Sequence, residues 1–164
     1  MQAFTKVVDA INRVVGLILA CMLGIMSVLI LLQVFCRFVI DYPLTWSEEV
    51  SRYLMVYIVF LGASLAMRHN QLISIEVLPE LLTGTKRKIL ISLVMILSLI
   101  FLVILFMQGI NMLNVVQAQS SPALGLSMAI PYAALPIGAI LLALNAVAVI
   151  CDQWSSRPEG GEAK

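Results

Sequence analysis

The sequence predicts an all-α integral membrane protein with four transmembrane helices and both termini in the cytoplasm. Hydrophobic residues make up 62% of the 164 residues, and the mean hydropathy is +1.05. Charged residues make up only 12%, about half of their share in soluble domains. About 20 apolar helical residues cross a hydrocarbon core, and four apolar blocks approach or exceed that length. We expect one four-helix membrane domain over residues 1–154, with spans at about residues 14–36, 46–67, 89–111 and 131–152.

The first span is predicted to be retained in the mature protein. Its apolar block of 22 residues, 14–35, exceeds the roughly 7 to 15 residues of a signal-peptide core. No convincing small-x-small cleavage site follows it. At the other end of the chain, residues 155–164 are rich in Gly and Glu and predict a solvated tail.

The second span is unusual because its uncharged core, residues 53–67, has only 15 residues. A helix of that length is too short to cross, so the span must begin near Trp46. Pro43 stops the preceding segment, and Thr45 with Glu48 matches a Thr-x-x-Glu capping box. The second span is therefore expected to carry acidic residues in its first turn.

The third span is uncharged, the fourth carries only Asp152 at its end, and prolines mark the start of the fourth. Pro131 is expected at the first helical position, and Pro136 is expected to kink the outer turn. The third span carries polar side chains that can hydrogen-bond between helices: Ser92, Ser98, Gln108, Asn111 and Asn114. The connection between these spans, residues 111–131, has no charge and predicts a rigid, partner-facing external turn.

Cationic residues fall mostly on one side of the predicted spans. Eight lie before span one, between spans two and three, or after span four: Lys6, Arg13, Arg68, Lys86, Arg87, Lys88, Arg157 and Lys164. The opposite side has only Arg37 and Arg52. Because Lys and Arg accumulate in cytoplasmic connections, this asymmetry predicts that both termini are cytoplasmic.

A cluster of ionisable residues between spans one and two is the main indication of function. It consists of Arg37, Asp41, Glu48, Glu49 and Arg52 around Trp46. Ionisable groups at the membrane edge are costly and normally have a structural or functional partner. On a helix, Arg52 lies within reach of both Glu48 and Glu49. The cluster therefore predicts either an interfacial salt bridge that eases insertion or a docking site for another protein.

The remaining composition argues against several function classes. His69 is the only histidine, and Cys21, Cys36 and Cys151 form no CxxC pair, so we expect no haem and no other cofactor in this chain. No acidic residue lies at mid-depth in any span, and no Walker motif occurs. The net charge of +1 predicts no nucleic-acid partner. Alone, the chain is predicted to be neither an enzyme nor a complete pump.

Small residues recur at four-residue spacing in the first two spans. They are Gly16, Ala20 and Gly24 in the first, and Gly62 and Ala66, with Ala63 beside them, in the second. Such stripes allow close helix packing, either within the chain or against a partner. Between spans two and three, residues 68–88 alternate apolar and polar residues and predict an interfacial or partner-covered stretch.

An ordered set of these residues resembles the small membrane subunit of tripartite ATP-independent periplasmic (TRAP) transporters. The first part is Arg37, Pro43, Leu44, Trp46, Ser47, Glu48, Glu49, Arg52, Phe60, Leu61, Gly62, Ala63 and Arg68. The second part is Ser121, Pro122, Ala123, Leu124, Pro131, Tyr132, Ala133, Ala134 and Pro136. The resemblance covers essentially the whole chain. It departs from the family pattern at Leu72, where the family often has His, and at Tyr57, where it often has Trp.

The resemblance implies a fixed scaffold in a sodium-coupled importer of organic acids, such as C4-dicarboxylates or sialic acid, in the bacterial inner membrane. It implies two partners: a large multispanning elevator subunit, which holds substrate and sodium ions, and a periplasmic binding protein. The residues expected to anchor the scaffold or to contact these partners are Arg37, Trp46, Glu48, Glu49, Arg52, Gly62, Ala63, Pro122 and Pro131.

Two other classes of membrane protein fit the span count. A small dimeric multidrug exporter would be expected to carry an acidic residue in its first span, and residues 14–35 have none. A cofactor-free membrane anchor of another inner-membrane complex is the alternative that the residues leave open.

Overall fold

The computed structural model describes residues 2–42, 44–69 and 85–155. Its helices are α1 (Gln2–Val39), α2 (Thr45–Arg68), α3 (Thr85–Val116), the short α4 (Ala129–Tyr132) and α5 (Ala134–Ser155). Four stretches are long and apolar enough to cross a membrane: Thr5–Val39, Thr45–Arg68, Leu93–Val116 and Ala129–Cys151. The predicted all-α fold with four membrane-spanning helices is confirmed. Pro43, residues 70–84 of the predicted interfacial or partner-covered stretch, and residues 156–164 of the predicted tail lie outside the described residues.

The first and third helices are longer than the spans predicted for them. α1 has 38 residues and α3 has 32. At a rise of 1.5 Å per residue, α1 is about 57 Å long, nearly twice the hydrocarbon thickness of about 30 Å. Its N-terminal turns, which carry Lys6, Asp9 and Arg13, therefore extend beyond the apolar segment.

The four long helices pack in a row rather than around a common axis. α2 and α5 pack against each other in the centre, α1 lies against α2 with a smaller contact to α5, and α3 lies against α5. Within the described residues α1 and α3 do not contact each other. Half of the most apolar window of the fourth span is buried, against 6% for the first. The two edge helices therefore keep most of their apolar surface available to lipid or to a partner.

The hydrophobic core lies among α2, α3 and α5. It is built on Met67, Leu102, Leu142 and Ala146, with Phe60, Ala63, Met95, Leu99, Leu105 and Ala143 packed around them. At Gly138 of α5, an added Cβ would lie 2.6 Å from the Phe60 side chain. Only glycine permits α2 and α5 to approach so closely at this point.

The predicted stripes of small residues do not mark the closest helix contacts within the chain. A Cβ added to Gly62 or Gly24 would meet no atom within 4 Å, and one added to Gly16 would make ordinary contact with Leu65 at 3.8 Å. The tight positions are Gly138 and Gly109, where an added Cβ would lie 3.1 Å from Pro136 Cδ. Gly62 thus lies beside open space, and its role at a partner interface stays a prediction.

The fourth span begins earlier than predicted, and it is interrupted at Ala133, three residues before Pro136. α4 begins at Ala129, so the placement of Pro131 at the first helical position is wrong. Pro136 has no N–H to donate to the Tyr132 carbonyl, and the helix breaks at Ala133. Hydrogen bonding continues on both sides of the break, from Ala133 N–H to the Ala129 carbonyl and from Ile137 N–H to the Ala133 carbonyl.

Candidate functional site

The predicted capping box at the start of α2 is wrong. Leu44 occupies the N-cap position and no side chain caps the helix there. Thr45 is already the first helical residue, so its hydroxyl is one position too late for the capping role. Instead, the Ser47 hydroxyl and the Ser47 N–H donate to the Leu44 carbonyl at 2.8 and 3.2 Å.

The Glu49 carboxylate joins the first turns of α2 to the connection between α3 and α4. Its Oε2 accepts hydrogen bonds from the N–H groups of Ala123 and Leu124, both at 3.1 Å. Its Oε1 accepts a hydrogen bond from the Tyr53 hydroxyl. Glu49 is buried. These three donors satisfy the carboxylate without a cation.

The connection is folded so that it presents two successive N–H groups to Glu49. Ser120 and Ser127 form an isolated antiparallel bridge, and the turn is closed by a 2.8 Å bond from Ser121 N–H to the Leu126 carbonyl. Gly125 has φ +66°, a conformation that glycine adopts at little cost. Pro122 precedes the two donors and has a fixed φ of about −65°, which stiffens the turn. The predicted rigid external turn is thus an ordered structure that α2 holds in place.

Two tyrosines extend this contact along α2. The Tyr53 hydroxyl also lies 3.7 Å from Met128 Sδ, and the Tyr57 hydroxyl donates to the Ile130 carbonyl at 2.7 Å. Glu49, Tyr53 and Tyr57 are spaced by four residues and therefore share one face of α2. We call these three side chains the Glu49 clip. The sequence signal for the clip is an acid followed by tyrosines at positions +4 and +8, which the expected pairing with Arg52 does not include.

The other members of the predicted ionisable cluster remain on the surface. Arg52 pairs with Glu48, at 3.6 Å between Nη2 and Oε1, and their side chains are 70% and 62% exposed. Arg37 and Trp46 are exposed as well. Among the described residues, Arg52 forms no ion pair with Glu49, the second partner that its spacing allowed. The cluster is therefore divided into a buried structural acid and an exposed ion pair.

An open groove lies beside the clip. Its volume is about 750 Å³, and it is lined by Thr45, Glu48, Glu49, Arg52, Tyr53, Val56, Pro122, Ala123, Met128, Pro131, Tyr132 and Leu135. Five of the nine predicted site residues thus lie around one groove: Glu48, Glu49, Arg52, Pro122 and Pro131. Ala63 instead packs against the hydrophobic core.

A second polar cluster joins α1, α2 and α5 near the C-terminal end of α2, away from the Glu49 clip. The side-chain amides of Asn12 and Asn145 exchange hydrogen bonds of 2.6 and 3.0 Å. Asn145 also donates to the Ser64 carbonyl at 2.8 Å, and all three residues are buried. Nearby, Arg68 Nε lies 2.8 Å from Asp9 Oδ1. Sequence reasoning missed this cluster, although an Asn in an otherwise apolar span indicates a hydrogen-bonded partner.

The described part of the chain offers no grouping of three or more His, Cys, Asp or Glu side chains that could hold a metal ion. Cys21, Cys36 and Cys151 are free thiols.

Comparison with known proteins identifies the family. The family model for the DctQ component of tripartite ATP-independent periplasmic transporters matches residues 26–156. Over 68 residues, the chain is 38% identical to a Haemophilus influenzae protein assigned as a TRAP transporter small permease, and the match covers 42% of each chain. A second H. influenzae protein with the same assignment is 24% identical over 137 residues, which cover 84% of this chain and 83% of that one.

A longer relative is also similar. The sialic acid TRAP transporter permease protein SiaT of H. influenzae is 32% identical over 114 residues. The match covers 70% of this chain but only 18% of SiaT. The chain thus spans less than half of the first small permease and less than a fifth of SiaT.

The family model covers most of the chain, from within α1 to the end of α5, and includes the Glu49 clip and the connection that it holds. The protein is therefore a multi-pass membrane protein that belongs to the DctQ component family of tripartite ATP-independent periplasmic transporters.

Proposed function

We propose that this chain is the fixed scaffold subunit of a sodium-coupled TRAP transporter in the bacterial inner membrane, with both termini cytoplasmic. The transporter imports organic acids, with sialic acid and C4-dicarboxylates as the first candidates. One observation carries the scaffold role: polar contacts hold α2 near both of its ends, to the connection and α4 at its N-terminal end and to α1 and α5 at its C-terminal end. The Glu49 clip acts at one end, and the Asn12, Asn145 and Ser64 cluster acts at the other.

The main partner in this proposal is a large multispanning membrane subunit that binds the substrate and the sodium ions. SiaT supports this assignment, because the segment similar to this chain is only 18% of that permease. The exposed faces of α1 and α3 provide apolar surface for such a partner. No cofactor is assigned to this chain.

The exposed and buried acids have different proposed roles. Glu49 keeps the connection seated on α2 and stabilises the outer end of the scaffold. Glu48, Arg52, Arg37 and Trp46 remain accessible and contact either the large subunit or a periplasmic binding protein that delivers the substrate. Gly62, beside open space on α2, permits close approach of a partner helix.

Affinity purification from the native membrane tests the assignment. With a tag on this chain and gentle extraction, we expect to recover one large multispanning subunit in equal amount. The purified complex in liposomes should take up labelled sialic acid or a C4-dicarboxylate only with an inward sodium gradient and the binding protein. A stable self-dimer that transports a solute alone would overturn the proposal.

A periplasmic accessibility assay tests the orientation independently. A single cysteine introduced at Glu48, in a chain whose three native cysteines have been replaced, should react with a membrane-impermeant maleimide in intact spheroplasts. A single cysteine at Lys6 should react only after the membrane is opened. The reverse pattern would contradict the proposed topology.

A further inference from the structure

A polar cleft lies between the N-terminal turns of α1 and the C-terminal end of α2. Its volume is about 530 Å³, and it is lined by Asp9, Asn12, Arg13, Leu65, Arg68 and His69. The two arginines outnumber the single carboxylate, Asp9, so the cleft has an excess of positive charge. The proposed transport function makes no use of this cleft.

The two arginines in the cleft differ in how firmly they are held. The Arg68 side chain is only 15% exposed, and its Nε contacts Asp9 Oδ1 at 2.8 Å. Arg13 is exposed and forms no ion pair with another residue in the described ranges. The cleft thus combines a fixed guanidinium group with one whose charge has no carboxylate partner among those residues.

The position of the cleft along the helices places it at the level of lipid headgroups. Arg13 directly precedes the uncharged apolar block of the first span, and Arg68 directly follows that of the second. Both side chains therefore lie where the hydrocarbon ends, at the depth of phospholipid phosphates. Leu65, almost one turn before Arg68, adds an apolar wall on the side of the hydrocarbon.

We infer that this cleft binds the phosphate group of an anionic phospholipid, with Arg13 as its principal contact. A guanidinium group makes charge-assisted hydrogen bonds to phosphate oxygens, and basic pockets between transmembrane helices bind anionic headgroups. Arg68, oriented by Asp9, supplies a second positive group, and His69 lies at the same cleft. Free inorganic phosphate offers the same oxygens, but it has no acyl chain to lie against Leu65.

Native mass spectrometry of the purified full-length chain in detergent tests the site. The chain is titrated with phosphatidylglycerol, and separately with phosphatidylcholine and inorganic phosphate. We expect phosphatidylglycerol to bind in a saturable manner. R13Q should weaken this binding about fivefold, the effect of one cationic contact near the membrane surface. R13K, which keeps the charge, should retain most of the affinity.

The matched control is K6Q, which removes the same charge from the same end of α1 at an exposed position outside the cleft. K6Q should bind phosphatidylglycerol within twofold of the unmodified chain. Equal loss in K6Q and R13Q would mean that general surface charge attracts the lipid, and the site would be rejected. Equal binding by R13Q and the unmodified chain, equal affinity for phosphatidylcholine, or displacement by millimolar inorganic phosphate would also overturn the inference. Circular dichroism confirms that each variant is helical.

Discussion

The N-terminal and C-terminal ends of α2 are held by different chemistry. At the end that holds the connection, a carboxylate, Glu49, accepts two backbone N–H groups and a tyrosine hydroxyl. At the other end, two neutral amides, Asn12 and Asn145, bond to each other and to the Ser64 carbonyl.

The difference follows from which backbone groups are available at each end. Inside a helix every N–H is already bonded to a carbonyl four residues earlier, so a buried carboxylate would lack donors there. A carbonyl can accept a second bond, and Asn145 uses that capacity at Ser64. A turn has unbonded N–H groups, and the connection directs two of them at Glu49. The turn therefore supplies the backbone donors that the buried Glu49 carboxylate needs, while the amide of Asn145 can use a helix carbonyl as its acceptor.

Removal of the Glu49 carboxylate should give the largest loss of stability. E49A leaves the Ala123 and Leu124 N–H groups without their acceptor, and hydrogen bonds to charged groups are worth about 1.5 to 3 kcal/mol each. We expect the free energy of unfolding, measured by SDS titration in mixed micelles, to fall by about 3 kcal/mol. The control is E48A, one residue away and exposed, which should change it by less than about 0.5 kcal/mol. Similar values for the two variants would contradict the clip.

Disruption of the neutral fastening should have a smaller effect. N145A removes three hydrogen bonds and leaves the Asn12 amide buried without its partner, and we expect a loss of about 2 kcal/mol in the same titration. N111A, at an exposed position on α3, is the control and should be nearly neutral. The double variant N12A/N145A should lose less than the sum of the single losses, since the two amides act as a pair. Additive losses would show that the amides do not interact.

The Tyr57 hydroxyl tests how far the Glu49 clip extends along α2. Y57F keeps the ring and removes only the bond to the Ile130 carbonyl, so the unfolding free energy should fall by about 1 kcal/mol. That bond lies beside the break at Ala133, where the helix has already lost one hydrogen bond. The control is Y42F, which removes a hydroxyl from an exposed tyrosine. If Y57F and Y42F unfold at the same SDS fraction, the clip ends at Tyr53.

The sequence predicted the fold well because the position of a membrane-spanning helix depends on the local composition of the chain. Apolar block length and the required start near Trp46 correctly indicated four spans, and Pro136 indicated the interruption of the last one. The site was predicted less completely because its contacts are distant in the chain. Glu49 was selected, but with Arg52 as its partner, because helical spacing indicates neighbours on one helix and not two N–H groups 74 and 75 residues away.

Helix contacts were the weakest part of the sequence prediction for a related reason. Four-residue spacing selected Gly62, but it does not reveal which face of a helix meets another helix. Gly138 has the same spacing from Ala134 but was not selected, and it is the position where only glycine fits against Phe60. Asn145 was missed for the same reason, because its partner Asn12 is 133 residues away and only the packing of α1 against α5 brings them together.

The exposed pair of Glu48 and Arg52 tests whether charge at the N-terminal end of α2 serves stability or recognition. Its geometry and exposure predict a coupling below about 0.5 kcal/mol in a double-mutant cycle of E48Q and R52Q. If the pair contacts a partner, R52Q should leave the SDS midpoint unchanged while it lowers recovery of the large subunit or uptake by the reconstituted complex. R68Q, which removes the arginine paired with Asp9 whose side chain is only 15% exposed, should instead lower the midpoint. Unchanged recovery and uptake with R52Q would show that Arg52 and its pair with Glu48 do not serve recognition of the large subunit.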